Sequence, residues 1–297
     1  KSFLKGALWI ICQRITFLIF GFCLLMTTIS FSLPTPPQRI ISGIPAITEM
    51  LFVLGLDEQV VGVTTNCNYP ARAEEKEKIG GFFLNLEKIV SIKPDLVVMQ
   101  EDAQVKDIKR FKEFGLPVCV LRLQSVEDVM AELVRLGQIT SKATTAEAYV
   151  QTMRTRLASV EEKTREYRPR LFDVLKLWNP KSKQRKALVI VGLNPLIVAG
   201  EDTFINDVLK YAGVANVAAG ASGQYLQYSF EKLVDDNPQY IIVPRGIIAL
   251  RDLEQNKRWR SLEAVRKGRI LFVDADILSR PGPRVVEAVE QIAEFIY

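Results

Sequence analysis

The residue types and spacings that usually announce catalysis are missing from this sequence, beginning with histidine, which occurs at none of its 297 positions. Without imidazole there is no histidine base, no histidine-ligated zinc and no haem held by histidine. The sequence also lacks a GxxxxGK[ST] loop, a GxGxxG turn after a strand, a GxSxG elbow and a cysteine ligand cluster. These absences favour binding over catalysis, and we predict that the protein is not an enzyme.

Composition and charge exclude several broad classes. Apolar residues make up 48% of the chain and charged residues 25%, which is average for a globular protein and excludes wholesale disorder and a polytopic membrane protein. The formal net charge is +5, and three of the cations, Lys1, Lys5 and Arg14, lie in a stretch without acids. The small remaining excess does not indicate a nucleic-acid partner.

The N-terminal segment predicts export. Lys1, Lys5 and Arg14 precede an apolar run from Ile15 to Phe31, which is typical of a signal peptide or a single membrane anchor covering residues 1–32. Ser30 and Ser32 have the small-residue spacing of a cleavage site, so cleavage after Ser32 and an uncleaved anchor both stay open. In either case the segment enters the membrane at least transiently, and we expect a periplasmic protein.

From residue 39 onward, short β-branched runs alternate with amphipathic stretches, a pattern typical of α/β layers with parallel sheets. The pattern occurs twice, which predicts one lobe at 33–124 and a second at 187–297. The predicted strands of the first lobe are Arg39–Ser42, Val60–Thr64, Leu96–Met99 and Val118–Leu121. Those of the second are Ala187–Val191, Asn216–Ala218, Tyr240–Val243 and Ile270–Val273.

Residues 125–167 connect the two lobes. Leu133, Leu136 and Ile139, and then Val150 and Met153, recur at three- and four-residue spacing, which predicts one long helix. Two helices with a turn around Thr140–Thr145 are the alternative. The following segment, 168–186, is strongly basic and could contact anionic lipid or a partner, or form a solvated loop.

At the level of motifs, the chain resembles the periplasmic binding proteins for vitamin B12 and iron chelates. The first-lobe motifs are Arg39-Ile40-Ile41-Ser42, Val60-Val61-Gly62-Val63-Thr64, Asn85-Leu86-Glu87-Lys88-Ile89 and Lys93-Pro94-Asp95. The second-lobe motifs are Gly192-Leu193-Asn194-Pro195, Ser229-Phe230-Glu231 and Arg280-Pro281-Gly282-Pro283-Arg284. Their order extends over residues 39–297.

This resemblance implies two Rossmann-like lobes joined by a single long backbone helix, with the ligand in the cleft between them. It implies no cofactor, but a corrinoid or another small-molecule metal chelate as transported ligand. The expected partner is an ABC permease dimer with its ATPase, onto which one glutamate of each lobe docks. The matching glutamates are Glu87 and Glu231, which would also be favourable in the first turn of a helix.

The resemblance and the strand ends together nominate the ligand contacts. Parallel α/β sheets place ligands at the carboxyl ends of their strands, where Gln100 and Glu101 follow a predicted strand. Aromatic side chains would pack against a flat chelate. The predicted ligand-binding residues are Asn66, Tyr69, Phe82, Gln100, Glu101, Asn194, Tyr225 and Arg280, and no metal-binding residue is predicted.

The sequence is also compatible with other ligands and functions. A ferric siderophore could be neutralised by Arg280 and Arg284, and haem would need a tyrosine ligand such as Tyr69 or Tyr225. Cys67 could supply a thiolate to cobalt or iron, or be a small buried loop residue. A membrane-anchored sensor and a chelatase-like enzyme are alternatives from other classes.

Overall fold

The computed structural model describes residues 35–168, 184–221 and 223–297. The predicted signal peptide or anchor, and all but the ends of the basic 168–186 segment, lie outside these described residues. Within the described ranges, no helix combines the length and the apolar character needed to cross a bilayer.

The first lobe contains a four-stranded parallel sheet. Its strands are β1 (Ile40–Ser42), β2 (Val60–Gly62), β3 (Leu96–Gln100) and β4 (Val118–Leu121), in the order β2-β1-β3-β4. The helices between them are α1 (Pro45–Val53), α2 (Leu86–Ile92) and α3 (Val105–Glu113), with a short 3-10 turn at Ala71–Ala73. All four predicted strands of this lobe are found.

The second lobe contains a six-stranded mixed sheet. Its strands are β5 (Lys186–Leu193), β6 (Leu196–Ala199), β7 (Ala215–Asn216), β8 (Tyr225–Gln227), β9 (Tyr240–Pro244) and β10 (Ile270–Val273). The order is β10-β9-β5-β6-β8, with β7 beside the start of β5. The four strands predicted here correspond to β5, β7, β9 and β10, with β7 beginning one residue earlier than predicted. The structure adds β6 and β8, which the sequence did not predict and which pair antiparallel. Both are runs of four residues or fewer, too short for a clear alternation of apolar and polar residues.

The connection between the sheets is two helices, α4 (Val126–Ile139) and α5 (Ala143–Thr164), and not the single helix predicted over 125–167. The alternative of a turn near Thr140 is therefore correct. Ser141 adopts a left-handed conformation with φ of 58°, and α5 packs back against α4. A Cβ atom on Gly137 would lie 2.5 Å from that of Ala146, so glycine permits this close approach. The 22 residues of α5 give a helix about 33 Å long, which still joins the lobes.

Seven further elements complete the second lobe. They are α6 (Phe204–Tyr211), α7 (Phe230–Asp236), α8 (Leu250–Gln255), α9 (Glu263–Arg266), α10 (Ala275–Ser279), α11 (Val285–Ile296) and a 3-10 turn at Trp259–Ser261. Side-chain oxygens of Asn85, Ser125, Thr203 and Ser229 accept hydrogen bonds from backbone N–H groups at the starts of α2, α4, α6 and α7. These caps satisfy donors that a helix start leaves without partners, and so define where each helix begins.

Alternation along the strands divides the interior into three apolar clusters. Ile40 and Val98 point into a core that α1, α4, α5, α6 and α11 share between both lobes. Ile41 and Met99 point to the opposite face, where α2 and α3 cover the first sheet. On the second sheet, Ile241 belongs to a separate cluster under α7, α8 and α9. The shared core therefore lies on the connector side, and each lobe has an outer face of its own.

Candidate ligand-binding cleft

A cavity of about 800 Å³ lies between the two lobes. One wall is formed by residues at and beyond the carboxyl ends of β3 and β4. They are Gln100, Asp102, Ala103, Arg122, Leu123, Gln124, Ser125 and Asp128. The other wall is formed by residues 201–210, by Gln224 and Tyr225, and by Ser279 and Pro281. The cavity thus occupies the position where an open parallel α/β sheet presents ligand-binding loops.

Two of the predicted ligand residues, Gln100 and Tyr225, face this cavity from opposite lobes. Gln100 is the last residue of β3, and its backbone N–H donates to Gln104 Oε1 at 3.1 Å. Gln104 is buried and donates to the carbonyl of Gly43 at 2.9 Å, which ties together the loops after β1 and β3. Tyr225 begins β8 and remains 57% exposed. On the first lobe the backbone at the end of β3 is therefore fixed by hydrogen bonds, and the exposed ring of Tyr225 lies on the second lobe, across the cavity.

The other predicted ligand residues do not line this cavity. Phe82 is 81% exposed and packs edge-to-face on Phe83, with ring centroids 5.1 Å apart. Glu101 is exposed beyond β3, and Asn194 is exposed in the turn between β5 and β6. Asn66 and Tyr69 lie in the loop after β2, where they contact Arg280 and Arg284 of the second lobe. Their roles in binding stay predictions.

A buried carboxylate, Glu49 of α1, joins the lobes beside the cavity. Its side chain is 2% exposed and accepts two hydrogen bonds from Arg284, at 2.6 and 2.9 Å. Arg280 lies 3.4 Å from the same carboxylate. The hydrogen bonds to Glu49 raise the pKa of Arg284. One carboxylate of the first lobe therefore holds two arginines of the second.

Arg280 makes further contacts across this junction. It donates to Asn68 Oδ1 at 2.8 Å and to the carbonyl of Asn66 at 3.3 Å, and it pairs with Asp276 at 2.7 Å. Its side chain is only 17% exposed. The guanidinium of Arg284 stacks on the Tyr69 ring at 3.8 Å. Arg280 and Arg284, which the sequence suggested for a ferric siderophore, thus both bind other residues of the protein.

Sequence reasoning assigned no role to Glu49. The available signal was a single acid in the helix stretch Ala46–Val53, which is apolar apart from Thr48 and where burial of a carboxylate without a cationic partner would be costly. Gly282, between the two arginines, lies against α1 at this junction. A Cβ atom there would meet Glu49 Oε2 at 3.4 Å and Ala46 Cα at 3.5 Å, which are ordinary van der Waals distances.

Cys67 lies in the loop after β2 and is 1% exposed. Its sulfur is 3.1 Å from the hydroxyl oxygens of both Thr48 and Thr64. Cys67 and Cys119 are both free thiols. The buried-residue interpretation of Cys67 is therefore the correct one. Among the described residues, no group of three acidic or thiol side chains is placed to hold a metal ion.

The two predicted docking glutamates occupy equivalent positions. Glu87 is in the first turn of α2, which precedes β3, and Glu231 is in the first turn of α7, which precedes β9. A helix that precedes a parallel strand runs back along the sheet, so both glutamates lie toward the carboxyl edges of their sheets. Glu231 pairs with Arg258 at 3.2 Å. A hydrogen bond from its own backbone N–H lowers the pKa of Glu231, and Arg258 lowers it further.

The fold and the cleft define a two-lobed ligand-binding protein. A family model described as periplasmic binding protein matches residues 40–277, and the chain belongs to this family. It is 33% identical over 266 residues to an uncharacterized ABC transporter substrate-binding lipoprotein, YvrC, of Bacillus subtilis, a match that covers 88% of this chain and 80% of the relative.

Two further comparisons concern vitamin B12. The chain is 27% identical over 277 residues to a vitamin B12-binding protein of Vibrio vulnificus, covering 91% of this chain and 94% of the relative. The crystal structure of the periplasmic vitamin B12-binding protein BtuF of Vibrio cholerae superimposes with a TM-score of 0.75 at 23% identity, over 89% of this chain and 98% of that one. Periplasmic haem-binding proteins share the fold too. The predicted two-lobed α/β fold is confirmed.

Proposed function

We propose that this protein is the substrate-binding component of an ABC importer, which captures a corrinoid or a related metal chelate outside the inner membrane. The observation that carries the proposal is the cavity between the carboxyl edges of two α/β lobes. Its volume of about 800 Å³ is at the upper end of the usual range for small-molecule sites, as a large chelate requires. Similarity to a substrate-binding lipoprotein and to vitamin B12-binding proteins supports the same function.

In this proposal the lobes change their spacing little when a ligand enters. The helices α4 and α5 share an apolar core with both lobes, and Glu49 binds two arginines across the junction. Hinge closure around a ligand needs residues that absorb large changes in φ and ψ, and a packed helix pair offers few of them. Binding would therefore rely on a cleft that is already formed, which lowers the ordering cost of association.

Delivery to the permease dimer and its ATPase would use Glu87 and Glu231. Each glutamate is exposed on the first turn of a short helix whose start is fixed by a cap, Asn85 or Ser229. Charge complementarity at such rim positions sets orientation and association rate more than affinity. Residues 1–32 would direct export, and either be removed or hold the protein at the membrane surface.

The ligand is tested by calorimetric titration of the exported protein with cobalamin, cobinamide, haemin and ferric siderophores. Saturable binding of at least one chelate is expected. If none binds, the proposed function is wrong.

Docking is tested by the double variant Glu87→Ala/Glu231→Ala in cells that carry the permease. Ligand affinity should be unchanged, while uptake of the bound chelate should fall to background. The matched control, Glu113→Ala/Glu254→Ala, removes one exposed glutamate from each lobe, on α3 and α8 and not on α2 and α7, and should leave uptake intact. Normal uptake by the Glu87→Ala/Glu231→Ala variant would show that these residues are not needed for docking.

A further inference from the structure

The cavity between the lobes is acidic. Five carboxylates and two cations contribute to its walls, an excess of three negative charges. The carboxylates are Asp102, Asp128, Glu201, Asp202 and Asp207, and the cations are Arg122 and Lys210. They come from both lobes, so a ligand in the cavity would face negative charge on two sides.

The cations near the cavity do little to offset this charge. Arg122 donates to Gln124 at 3.0 and 3.2 Å and lies 3.9 Å from Asp128, so its charge is shared with a carboxylate of the same wall. Ser279 and Pro281 both line the cavity, but Arg280 between them is directed at Asn68 and Glu49. Arg122 is thus paired within its own wall, and Arg280 is held by the junction between the lobes.

The walls carry three primary amides, those of Gln100, Gln124 and Gln224. Gln124 is held within its wall by Arg122 and Asp102, which leaves Gln100 and Gln224 as the amides for a ligand. An amide both donates and accepts, so it pairs with a carboxamide of a ligand without adding charge. Walls that carry one sign of charge around a cleft focus the field and raise the local concentration of oppositely charged solutes. The same field disfavours a ligand that brings carboxylates or catecholates.

We infer that this cleft selects a metal chelate of zero or positive net charge with a carboxamide periphery, and rejects chelates that carry carboxylates. The inference rests on the proposed function and adds the chemical class of its ligand. Among the chelates considered above, an amidated corrinoid meets both requirements. Haem, with its two propionates, and ferric tricatecholates do not.

The experiment compares two forms of one corrin ring. Cobinamide, whose side chains are amides, and cobyrinic acid, in which they are carboxylates, are titrated calorimetrically against the exported protein, with haemin as a third probe. Cobinamide should bind at least tenfold more tightly than either anionic probe. The preference should shrink as sodium chloride rises from about 50 to about 500 mM, because salt screens partly exposed charges.

Two variants locate the source of the preference. Asp102→Asn/Asp202→Asn neutralises one carboxylate on each wall and should narrow the preference for cobinamide several-fold. Glu113→Gln/Glu254→Gln removes the same charge from exposed sites outside the cavity and should leave the preference unchanged.

The outcomes separate this inference from the proposed function. Binding of cobyrinic acid or haemin as tightly as cobinamide would overturn the charge selection while the importer function stands. An unaltered preference in the Asp102/Asp202 variant would also overturn it. Failure of every chelate to bind would overturn both.

Discussion

The segments that carry Glu87 and Glu231 repeat one local design in the two lobes. Each begins with a capping residue whose side chain accepts from a backbone N–H, Asn85 at 3.0 Å and Ser229 at 3.1 Å. Each glutamate is the second residue of a seven-residue helix, and the residue two positions later, Ile89 or Leu233, is fully buried. Both helices end on a left-handed residue followed by proline.

The surroundings of the two glutamates differ. Glu231 is paired with Arg258, whose guanidinium also lies 4.3 Å from the centre of the Phe230 ring. Trp259 packs edge-to-face on the same ring at 5.3 Å. In the described part of the chain Glu87 forms no ion pair. The position of each helix is therefore set by its own capping residue and buried side chain. The orientation of Glu231 depends in addition on Arg258, a residue outside its helix, and that of Glu87 has no such ion-pair partner among the described residues.

The anchors that follow the two helices differ in charge. The carboxylate of Asp95 accepts from the backbone N–H groups of Gln38 and Arg39, at 2.7 and 2.8 Å, just before β1. The amide oxygen of Gln239 accepts from the backbone N–H of Lys186, the first residue of β5, at 3.1 Å. The start of β1 is thus held by two charge-assisted hydrogen bonds, whereas the start of the equivalent strand β5 is held by one neutral hydrogen bond.

The largest effect is expected from breaking the junction of Glu49 with Arg280 and Arg284, which connects the two lobes that carry α2 and α7. Glu49→Ala leaves the largely buried Arg284 without its carboxylate and Arg280 with Asp276 only, which should lower the free energy of unfolding by about 3–5 kcal/mol. Urea denaturation of the exported protein measures this loss.

The control for that prediction is Glu290→Ala, which removes the partner of Arg156 in a half-exposed pair between α5 and α11. Its cost should be no more than about 1 kcal/mol. Equal losses of unfolding free energy in the two variants would mean that the buried pairs of Glu49 stabilise the protein no more than an exposed ion pair does.

The next effect sharpens the difference between the anchors. Asp95→Ala should cost about 1.5 kcal/mol, because hydrogen bonds to a charged group are stronger and two are lost. Gln239→Ala should cost about 0.5 kcal/mol, because one neutral bond is lost at an exposed site. Urea midpoints of the single variants, compared at equal slopes, give the order. A reversed order would show that charge does not distinguish the two anchors.

The smallest effect concerns Arg258. If this arginine competes with the permease for Glu231, Arg258→Ala should raise the rate of association with the permease about threefold, since rim charges act mainly on association rates. Surface plasmon resonance with the permease in nanodiscs measures the rate. Arg251→Ala removes another exposed cation from the same lobe, one that pairs with Asp252 and not with Glu231, and should have no such effect. Slower association of the Arg258 variant would instead make Arg258 a docking residue.

Local signals were sufficient for much of the fold. Asn85, followed by Leu86 and Glu87, predicts the start of α2, because the side-chain cap and the first-turn acid act within one turn. Uninterrupted apolar runs such as Leu96–Met99 predict central strands, because burial on both faces leaves no polar alternation. The same reasoning failed for Leu196–Ala199 and Tyr225–Gln227, whose short runs become strands only by pairing with β5 and with each other.

The cleft was predictable only in part. The sequence predicted Gln100 at the carboxyl end of a strand, and Gln100 is the last residue of β3 and lines the cavity, while its role in binding stays a prediction. Asp202 and Asp207 lie in and after a loop without any motif, so nothing local indicated that they face Asp102 across a cavity. The pairing of Glu49 with Arg280 and Arg284 joins residues more than 230 positions apart. Contacts of that separation depend on how the lobes pack, which periodicity does not encode.

The amino-acid sequence by itself determined the layered α/β class, the repeated lobe plan, the capped helices with Glu87 and Glu231, and the absence of histidine chemistry. Each of these follows from residue identity or from spacing within a few turns of chain. The tertiary structure alone decided where α4 ends and α5 begins, which arginines are consumed at the junction, and that the cleft is lined by an excess of carboxylates. Those features arise from side chains brought together across lobes, and their energies exist only once the lobes have packed.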